Sequence, residues 1–202
     1  MSTAKRLKKY LRVTALAGVS LFAFTATAEM DSSLFEGLEA RSIGPAGMSG
    51  RISIVDVVAS DTNIIFVGSA TGGVWRSTDG ALTFSPVFDD QDVASIGALA
   101  INQQNPDIIW VGSGEGNPRG STSIGGGIYK SIDGGDTWTK VGLANSERIN
   151  WIELDPTNPD VAYVAALGTL WGPNSERGLY KTTDGGKTWD RILYVDETTG
   201  AT

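Results

Sequence analysis

Short apolar runs separated by polar turns repeat along the chain from about residue 51. Each repeat opens with a run such as RISIVDV, SIGALAI or RINWIEL, and continues with NIIFVGS, DIIWVGS or DVAYVAA, which carries an aromatic residue at its fourth place. A third short run follows, GVWRS, GIYKS or GLYKT. Runs this short and apolar are typical of β-strands covered on both faces. No helical period competes with them.

A polar turn with fixed residue types follows the third run of each repeat. The turns read STDGALTF, SIDGGDTW and TTDGGKTW, and their aspartates, Asp79, Asp133 and Asp184, are 54 and 51 residues apart. A carboxylate here can accept backbone N–H bonds, and paired glycines allow positive φ without Cβ strain. We interpret the turns as structural rather than as calcium-binding or catalytic, because one active site would not need three copies. The predicted structural residues are Asp79, Asp133, Thr137, Trp138, Asp184, Thr188 and Trp189, with Thr137 adding a hydroxyl bond and Trp138 covering its own hairpin.

A fourth strand after each turn completes a unit of about 50 residues. Four antiparallel strands in a repeat of this length predict an all-β fold of β-propeller blades. We place three blades within residues 51–202, at about 51–92, 93–146 and 147–196.

The turns are similar to the Asp-box, or BNR, repeat of sialidases, xyloglucan-degrading glycosidases, photosystem assembly propellers and sortilin-type receptors. The phrases RSIGPAGMSGRI and GSGEGNPRGSTSIGGGIYKS resemble the N-terminal part of large exported bacterial proteins of the sortilin/VPS10-like class, often labelled glycosyl hydrolases. The resemblance implies further blades, so we expect this chain to be the leading part of a longer propeller. Residues 40–44 (ARSIG) match WTKVG and are expected to form an outermost strand. Assembly of several chains into one ring is the alternative.

The first 28 residues have the pattern of a signal peptide. A basic start, MSTAKRLKKYLR, precedes an apolar run that ends in Ala-Thr-Ala at Ala28, which is the small-residue pattern that signal peptidase accepts. The run from Val13 has 16 residues, fewer than the roughly 20 that cross a bilayer. We predict cleavage after Ala28, a periplasmic or extracellular location and no stable membrane span after cleavage. Residues 29–50 then form an N-terminal segment before the first blade.

The composition excludes several kinds of chemistry. Cysteine and histidine are absent, so disulfides, thiolate chemistry, histidine triads and histidine-bound zinc are not possible. Five of the 16 basic residues precede Ala28, and the remainder carries 11 basic against 23 acidic residues. That acidity argues against binding of nucleic acid. We predict no metal and no cofactor.

Two long insertions fall on the face opposite the aspartate-containing turns. They lie between the second and third strands of the second and third predicted blades and read GEGNPRGSTSIGG and LGTLWGPNSER. Long loops on a rigid scaffold are usual places for binding, although a solvated rim or contact with further blades is an equal alternative. The candidate ligand-binding residues are Arg51, Glu115, Asn117, Arg119, Arg148, Trp171, Asn174, Glu176 and Arg177.

Some of these candidates have a specific interpretation. Trp171 lies outside the repeat pattern, so it either stacks on a ligand or pins its loop to the blade. Trp151 replaces Ile54 in an innermost strand and is expected to pack. Arg51 and Arg148 occupy equivalent places, where sialidases hold a carboxylate with arginines, but we expect bonds to loop carbonyls.

Three functions are compatible with the sequence. The first is an exported propeller that binds a peptide, protein or glycan, as the sortilin-like resemblance implies. The second is a glycoside hydrolase, with Glu115 as the acid candidate but without a recognised second carboxylate; Asp56 and Glu153 are interpreted as hydrogen-bonded channel residues. The third is a structural spacer in a larger envelope protein. The sequence favours binding and leaves catalysis open.

Overall fold

The structure is a computed structural model that describes residues 51–117 and 120–202. These residues form twelve β-strands and no helix. The first sheet contains β1 (Ile52–Val57), β2 (Ile65–Ser69), β3 (Val74–Ser77) and β4 (Ser85–Pro86); the second contains β5 (Ile96–Ile101), β6 (Ile109–Ser113), β7 (Ile128–Ser131) and β8 (Thr139–Gly142); the third contains β9 (Ile149–Leu154), β10 (Ala162–Ala166), β11 (Gly178–Thr182) and β12 (Asp190–Leu193). The predicted signal peptide and the segment 29–50, with its expected strand at 40–44, lie outside the described residues.

Each sheet is an antiparallel meander whose strands are hydrogen-bonded in chain order. The first strands, β1, β5 and β9, lie side by side, and the fourth strands lie farthest from them. The predicted all-β fold of four-stranded propeller blades is therefore confirmed. We refer to the sheets as the first, second and third blades; they fall within residues 51–92, 93–146 and 147–196.

Apolar side chains fill the two spaces between successive blades. Between the first and second blades, Phe66 and Val74 pack with Ile96, Val111 and Tyr129. Between the second and third, Trp110 and Ile128 pack with Ile149, Val164 and Tyr180. The hydrophobic core is thus a stack of two layers between sheets, as expected for blades that cannot bury both faces alone.

The outer sides of the first and third blades are less covered than the sequence predicts. Val55 in β1 is 53% exposed and Trp151 in β9 is 54% exposed. Both side chains belong to innermost strands that were expected to be covered on both faces. The expectation that Trp151 packs is wrong for the described residues, because the second and third blades meet on the opposite side of β9.

The three turns after β3, β7 and β11, which we call the aspartate turns (residues 77–83, 131–137 and 182–188), share one hydrogen-bond pattern. In the second turn, Asp133 accepts the Thr137 N–H at 2.8 Å and the Thr137 hydroxyl at 2.5 Å. The Ser131 hydroxyl donates to Asp133 at 2.7 Å and accepts the Gly135 N–H at 2.9 Å. The first turn repeats these bonds around Asp79, and the third around Asp184. Each turn therefore satisfies its own backbone.

The tryptophans that follow the second and third aspartate turns also donate a hydrogen bond to the preceding blade. Trp138 Nε1 donates to the carbonyl of Val87 at 2.6 Å, and Trp189 Nε1 donates to that of Val141 at 2.8 Å. Sequence reasoning placed Trp138 over its own hairpin, and it does also bond the Gly135 carbonyl at 3.1 Å. The longer-range bond makes each indole a link between blades.

The aspartate turns predict an acid-sensitive part of the stability. Hydrogen bonds from the threonine hydroxyl, and then from the threonine N–H, lower the pKa of Asp79, Asp133 and Asp184 from the ordinary value of 3.8 to about 2. A carboxylate whose pKa is lower in the folded than in the unfolded state stabilises the fold at pH values above its unfolded-state pKa. This stability is lost as the pH falls through the folded-state pKa. The loss is therefore expected between about pH 4 and about pH 2.

Asp133→Asn should flatten this pH dependence, because its amide does not titrate. Urea unfolding midpoints measured across the same acid range would test this. Asp90→Asn, which removes one exposed carboxylate outside the turns, is the charge-matched control and should keep the wild-type slope. An Asp133→Asn slope equal to that of the control would contradict the assignment.

Candidate functional site

The connections between second and third strands lie at the end of the blades opposite the aspartate turns. We call the surface formed by residues 114–117, 120–126 and 167–177, with Arg51 and residues 147–148 beside them, the loop face. All the candidate ligand-binding residues that the structure describes lie in these segments. Arg119 falls outside the described residues.

The loop after β10 is built around the buried guanidinium of Arg177. This side chain donates to the carbonyls of Thr169 at 2.8 Å, Gly172 at 3.1 Å and Glu197 at 2.8 Å, and also to that of Leu167. Only 7% of Arg177 is exposed. It holds four carbonyls of two separate segments, so it braces the loop and does not face solvent.

Trp171 projects from the braced loop. Its side chain is 78% exposed, although the residues on both sides of it are held by Arg177 through Thr169 and Gly172. The sequence allowed Trp171 either to stack on a ligand or to pin its loop to the blade. The exposure of its side chain disagrees with pinning. The indole is free to stack on a ligand.

Asn174 and Glu176 help to shape the same loop. The Asn174 N–H donates to the Glu197 carbonyl at 2.8 Å, and Asn174 Oδ1 accepts the Glu176 N–H at 3.0 Å. The Glu176 carbonyl accepts the Tyr180 hydroxyl at 3.0 Å. Their direct role in ligand binding stays a prediction, since these bonds show only that they order the loop.

Glu115 is buried in an ion pair with Arg51. Its side chain has no exposed surface, whereas that of Arg51 is 38% exposed. The Glu115 N–H donates to Ser95 Oγ at 3.0 Å. A general acid has to reach the glycosidic oxygen of its substrate, and Glu115 is enclosed in this arrangement. The pair joins the start of β1 to the loop after β6.

Arg148 is also engaged by side chains. It is 3% exposed, and its guanidinium contacts Glu147 Oε2 at 3.2 Å and Thr122 Oγ1 at 3.1 Å. The backbones of Arg51 and Arg148 do occupy equivalent places, because their carbonyls accept the N–H groups of Ala70 at 2.7 Å and Leu167 at 3.0 Å. Bonds from the two guanidiniums to loop carbonyls were expected, and carboxylate and hydroxyl partners are found instead. The arginines do not form an open anion site.

The acidic residues of the innermost strands are hydrogen-bonded. Asp56 accepts the N–H groups of Val57 and Ile101, each at 2.8 Å. Glu153 accepts the Trp151 indole N–H at 3.2 Å. The bond from Ile101 makes Asp56 a further link between the first and second blades.

Among the residues that the structure describes, the accessible part of the loop face is mostly uncharged. Trp171, Asn117 and Ile124 are exposed, while Arg51 is paired with Glu115 and Arg148 with Glu147 within the face. Ile124 escaped sequence reasoning because a lone apolar residue in a loop of Gly, Ser and Thr gives no periodic signal. A surface with an exposed indole and small polar side chains suits a neutral ligand with both hydroxyl groups and an apolar face.

The described residues contain neither a cluster of acidic side chains suited to a metal ion nor a membrane-spanning helix. Within residues 51–117 and 120–202, no group of three acidic side chains is placed to hold a metal ion. The same part of the chain has no helix long and apolar enough to span a bilayer.

Comparison with known proteins found relatives among xyloglucan-degrading enzymes. No protein-family model matches the chain. It is 33% identical over 99 residues to an oligoxyloglucan-reducing end-specific xyloglucanase of Neosartorya fischeri, covering 46% of this chain and 10% of that protein. It is 29% identical over 209 aligned residues to a xyloglucanase of Acetivibrio thermocellus, covering 66% of this chain and 24% of that protein. The chain therefore spans at most about a quarter of these relatives.

Other similarities are shorter or structural. A segment is 39% identical over 67 residues to vacuolar protein sorting/targeting protein 10 of Eremothecium gossypii, covering 33% of this chain and 4% of that protein. The crystal structure of an ancestral GH74 enzyme superposes with a TM-score of 0.56 and 27% identity, over 72% of this chain and 19% of the enzyme. YCF48 of Cyanidioschyzon merolae superposes with a TM-score of 0.52 and 18% identity, over 75% of this chain and 40% of YCF48, a likeness of fold alone. The described part of the chain is accordingly a set of β-propeller blades, similar in sequence and structure to segments of GH74 xyloglucanases.

Proposed function

We propose that this chain is part of an exported β-propeller of the glycoside hydrolase type, and that its loop face binds a neutral polysaccharide. The observation that carries the proposal is the exposed indole of Trp171 on a loop held by buried Arg177. The xyloglucanase relatives support a polysaccharide ligand, and xyloglucan is the first ligand to test. In this proposal the turns are of the Asp-box type and further blades complete the propeller.

The comparisons favour the hydrolase alternative over the general binding module that the sequence favoured. We nevertheless assign binding, and not bond cleavage, to the described residues. Glycoside hydrolysis generally uses two carboxyl groups flanking the scissile bond, and Glu115, the acid candidate, is enclosed against Arg51. The sortilin-like function has the shorter match in support.

A braced tryptophan is well suited to sugar recognition. The apolar C–H face of a pyranose packs on an indole, while its hydroxyl groups remain hydrated or bond to nearby polar side chains. Because Arg177 already fixes the loop backbone, less conformational entropy is lost when a ligand binds. Among the described residues of the loop face, Arg51 pairs with Glu115 and Arg148 with Glu147, which favours a neutral sugar chain over an anionic one.

Replacing Trp171 by alanine is expected to weaken the binding of a xyloglucan oligosaccharide about tenfold, or about 1.4 kcal/mol. Loss of the stacking surface is the physical reason, and isothermal titration calorimetry is the measurement. Leu82→Ala is the matched control, because Leu82 is an 84% exposed apolar side chain on the opposite face. Equal affinities of wild type and Trp171→Ala would remove Trp171 from the site. If both proteins instead bind peptides and no glycan, the sortilin-like function replaces this one.

A further inference from the structure

The joint between successive blades uses the second glycine of the aspartate turn. In the second blade, a Cβ added to Gly135 would lie 3.1 Å from Phe66 of the first blade. In the third blade, a Cβ added to Gly186 would lie 3.1 Å from Trp110 of the second. Both glycines also have positive φ, of 91° and 93°. Each turn therefore lays a bare backbone against an aromatic ring of the blade before it.

Two polar bonds complete the joint. A cation of the earlier blade donates to the first glycine of the turn: Arg76 to the Gly134 carbonyl at 2.7 Å, and Lys130 to the Gly185 carbonyl at 3.3 Å. In return, the indole N–H of the later blade donates to a carbonyl of the earlier blade's fourth strand, as described for Trp138 and Trp189. The earlier blade thus offers a ring, a cation and a carbonyl at fixed register positions.

The third blade presents the same three groups on its side away from the second blade, which we call the front face. Tyr163 pairs with Lys181 across β10 and β11, as Trp110 pairs with Lys130 across β6 and β7. The Lys181 ammonium lies 5.1 Å from the centre of the Tyr163 ring, and Lys130 lies 4.6 Å from that of Trp110. Ile192 in β12 occupies the register position of Val141 in β8. The carbonyl of Val141 accepts the indole N–H of Trp189.

The front face is open among the described residues. Trp151 is 54% exposed and Ile192 is 48% exposed, whereas Ile54, the counterpart of Trp151, packs into the core between the first two blades. The front face therefore carries the same arrangement of residues as the corresponding faces of the first and second blades, each of which is covered by the next blade.

The first aspartate turn keeps Gly80 but differs at the other two of the three positions that touch a preceding blade in the second and third turns. It keeps Ser77, Asp79 and Thr83, with all their bonds within the turn. Ala81, with φ of 70°, replaces the second glycine, and Phe84 replaces the tryptophan. A methyl group now stands where the joint needs bare backbone, and the phenyl ring has no N–H to donate.

We propose that the front face of the third blade is a socket for one further blade with a complete aspartate turn, and that Ala81 and Phe84 exclude the first blade of a second copy from it. The occupant carries Gly-Gly and Trp at the turn positions of Gly185, Gly186 and Trp189. It places its second glycine on Tyr163, its first glycine carbonyl on Lys181 and its indole N–H on the Ile192 carbonyl. This inference deepens the part of the proposed function in which further blades complete the propeller, and it is independent of polysaccharide binding by the loop face.

The occupant can be tested with the chain's own blade as a probe. A second copy of residues 147–196 is appended after Thr202, and the urea unfolding midpoint is measured. Docking onto the socket adds an interface between neighbouring repeats, which raises stability, so the midpoint should rise above that of the unextended chain. The matched control is an added copy with Gly186→Ala and Trp189→Phe, the substitutions found in the first turn, which should give no rise. Equal midpoints for the two extensions would overturn the proposal.

Exclusion of a second copy is tested by sedimentation of the unextended chain. The wild type should remain monomeric, and Ala81→Gly combined with Phe84→Trp should associate at least tenfold more tightly. Adding Lys181→Glu should abolish that association, since it removes the cation of the socket. The exclusion would be overturned if the wild type associated and Lys181→Glu abolished that association. It would also be overturned if the variant with Ala81→Gly and Phe84→Trp sedimented like the wild type.

Discussion

Replacing Trp110 by alanine should lower the free energy of unfolding by about 3–5 kcal/mol, the usual cost of truncating a large buried aromatic side chain. Trp110 has no exposed surface and belongs to the core between the second and third blades. Its ring lies edge-to-face with that of Trp189, with centres 6.1 Å apart, and under the ammonium of Lys130. Truncation leaves a cavity between two sheets, and neither sheet can close it without breaking strand pairing.

The indole N–H of Trp110 has no hydrogen-bond partner among the described residues. Trp110→Phe therefore removes a buried unpaired donor while keeping an aromatic ring, and should cost less than about 1.5 kcal/mol. The first blade already carries Phe66 at the same register position, opposite Arg76. Urea unfolding of the two variants is the measurement. A Trp110→Ala loss below that of Trp110→Phe would contradict the packing between blades.

The sequence predicted the blades well because their defining contacts are local. Each aspartate turn closes its bonds within seven residues, so the pattern seen around Asp79, Asp133 and Asp184 carries both the turn and its spacing. The strand runs between the turns are rich in apolar residues, and such strands need to be covered on both faces of the sheet. Repetition then makes a sheet stack the natural arrangement.

Contacts between separate segments were not readable from the pattern. The ion pair of Arg51 with Glu115 joins residues 64 positions apart, and the bond from Trp138 to Val87 spans 51 positions. The ion pair has no periodic signature. The bond from Trp138 is repeated by that from Trp189 to Val141, but its partner depends on how one blade packs on the next. Trp171 was found as a site candidate for the opposite reason: it breaks the repeat, and sequence alone left its exposure undecided.

The role of Arg177 was also not readable from the sequence. It braces the loop by bonding to carbonyls from two separate segments. The sequence presented it as a ligand-binding candidate, and its burial assigns it to the loop interior. An arginine guanidinium is planar with five fixed donors, which lets one side chain satisfy several carbonyls at once. Its contribution to binding would then act through Trp171.

Arg177→Met should weaken binding of the xyloglucan oligosaccharide as much as Trp171→Ala does, although Arg177 itself is enclosed. Methionine keeps most of the apolar stem but leaves the carbonyls of Leu167, Thr169, Gly172 and Glu197 without their donor. Unpaired buried carbonyls cost about 1–3 kcal/mol each, and opening of the loop to water limits the total to about 2–3 kcal/mol of unfolding free energy.

Arg177→Lys should recover little of this loss, because a single ammonium cannot reach four carbonyls in the fixed directions of a guanidinium. Combining Arg177→Met with Trp171→Ala should weaken binding no further than either change alone, since both remove the same stacking platform. Calorimetric titration of the four proteins completes the cycle. Additive losses in the double variant would mean that Arg177 contributes to binding independently of Trp171, and the brace would then be the wrong description of its role.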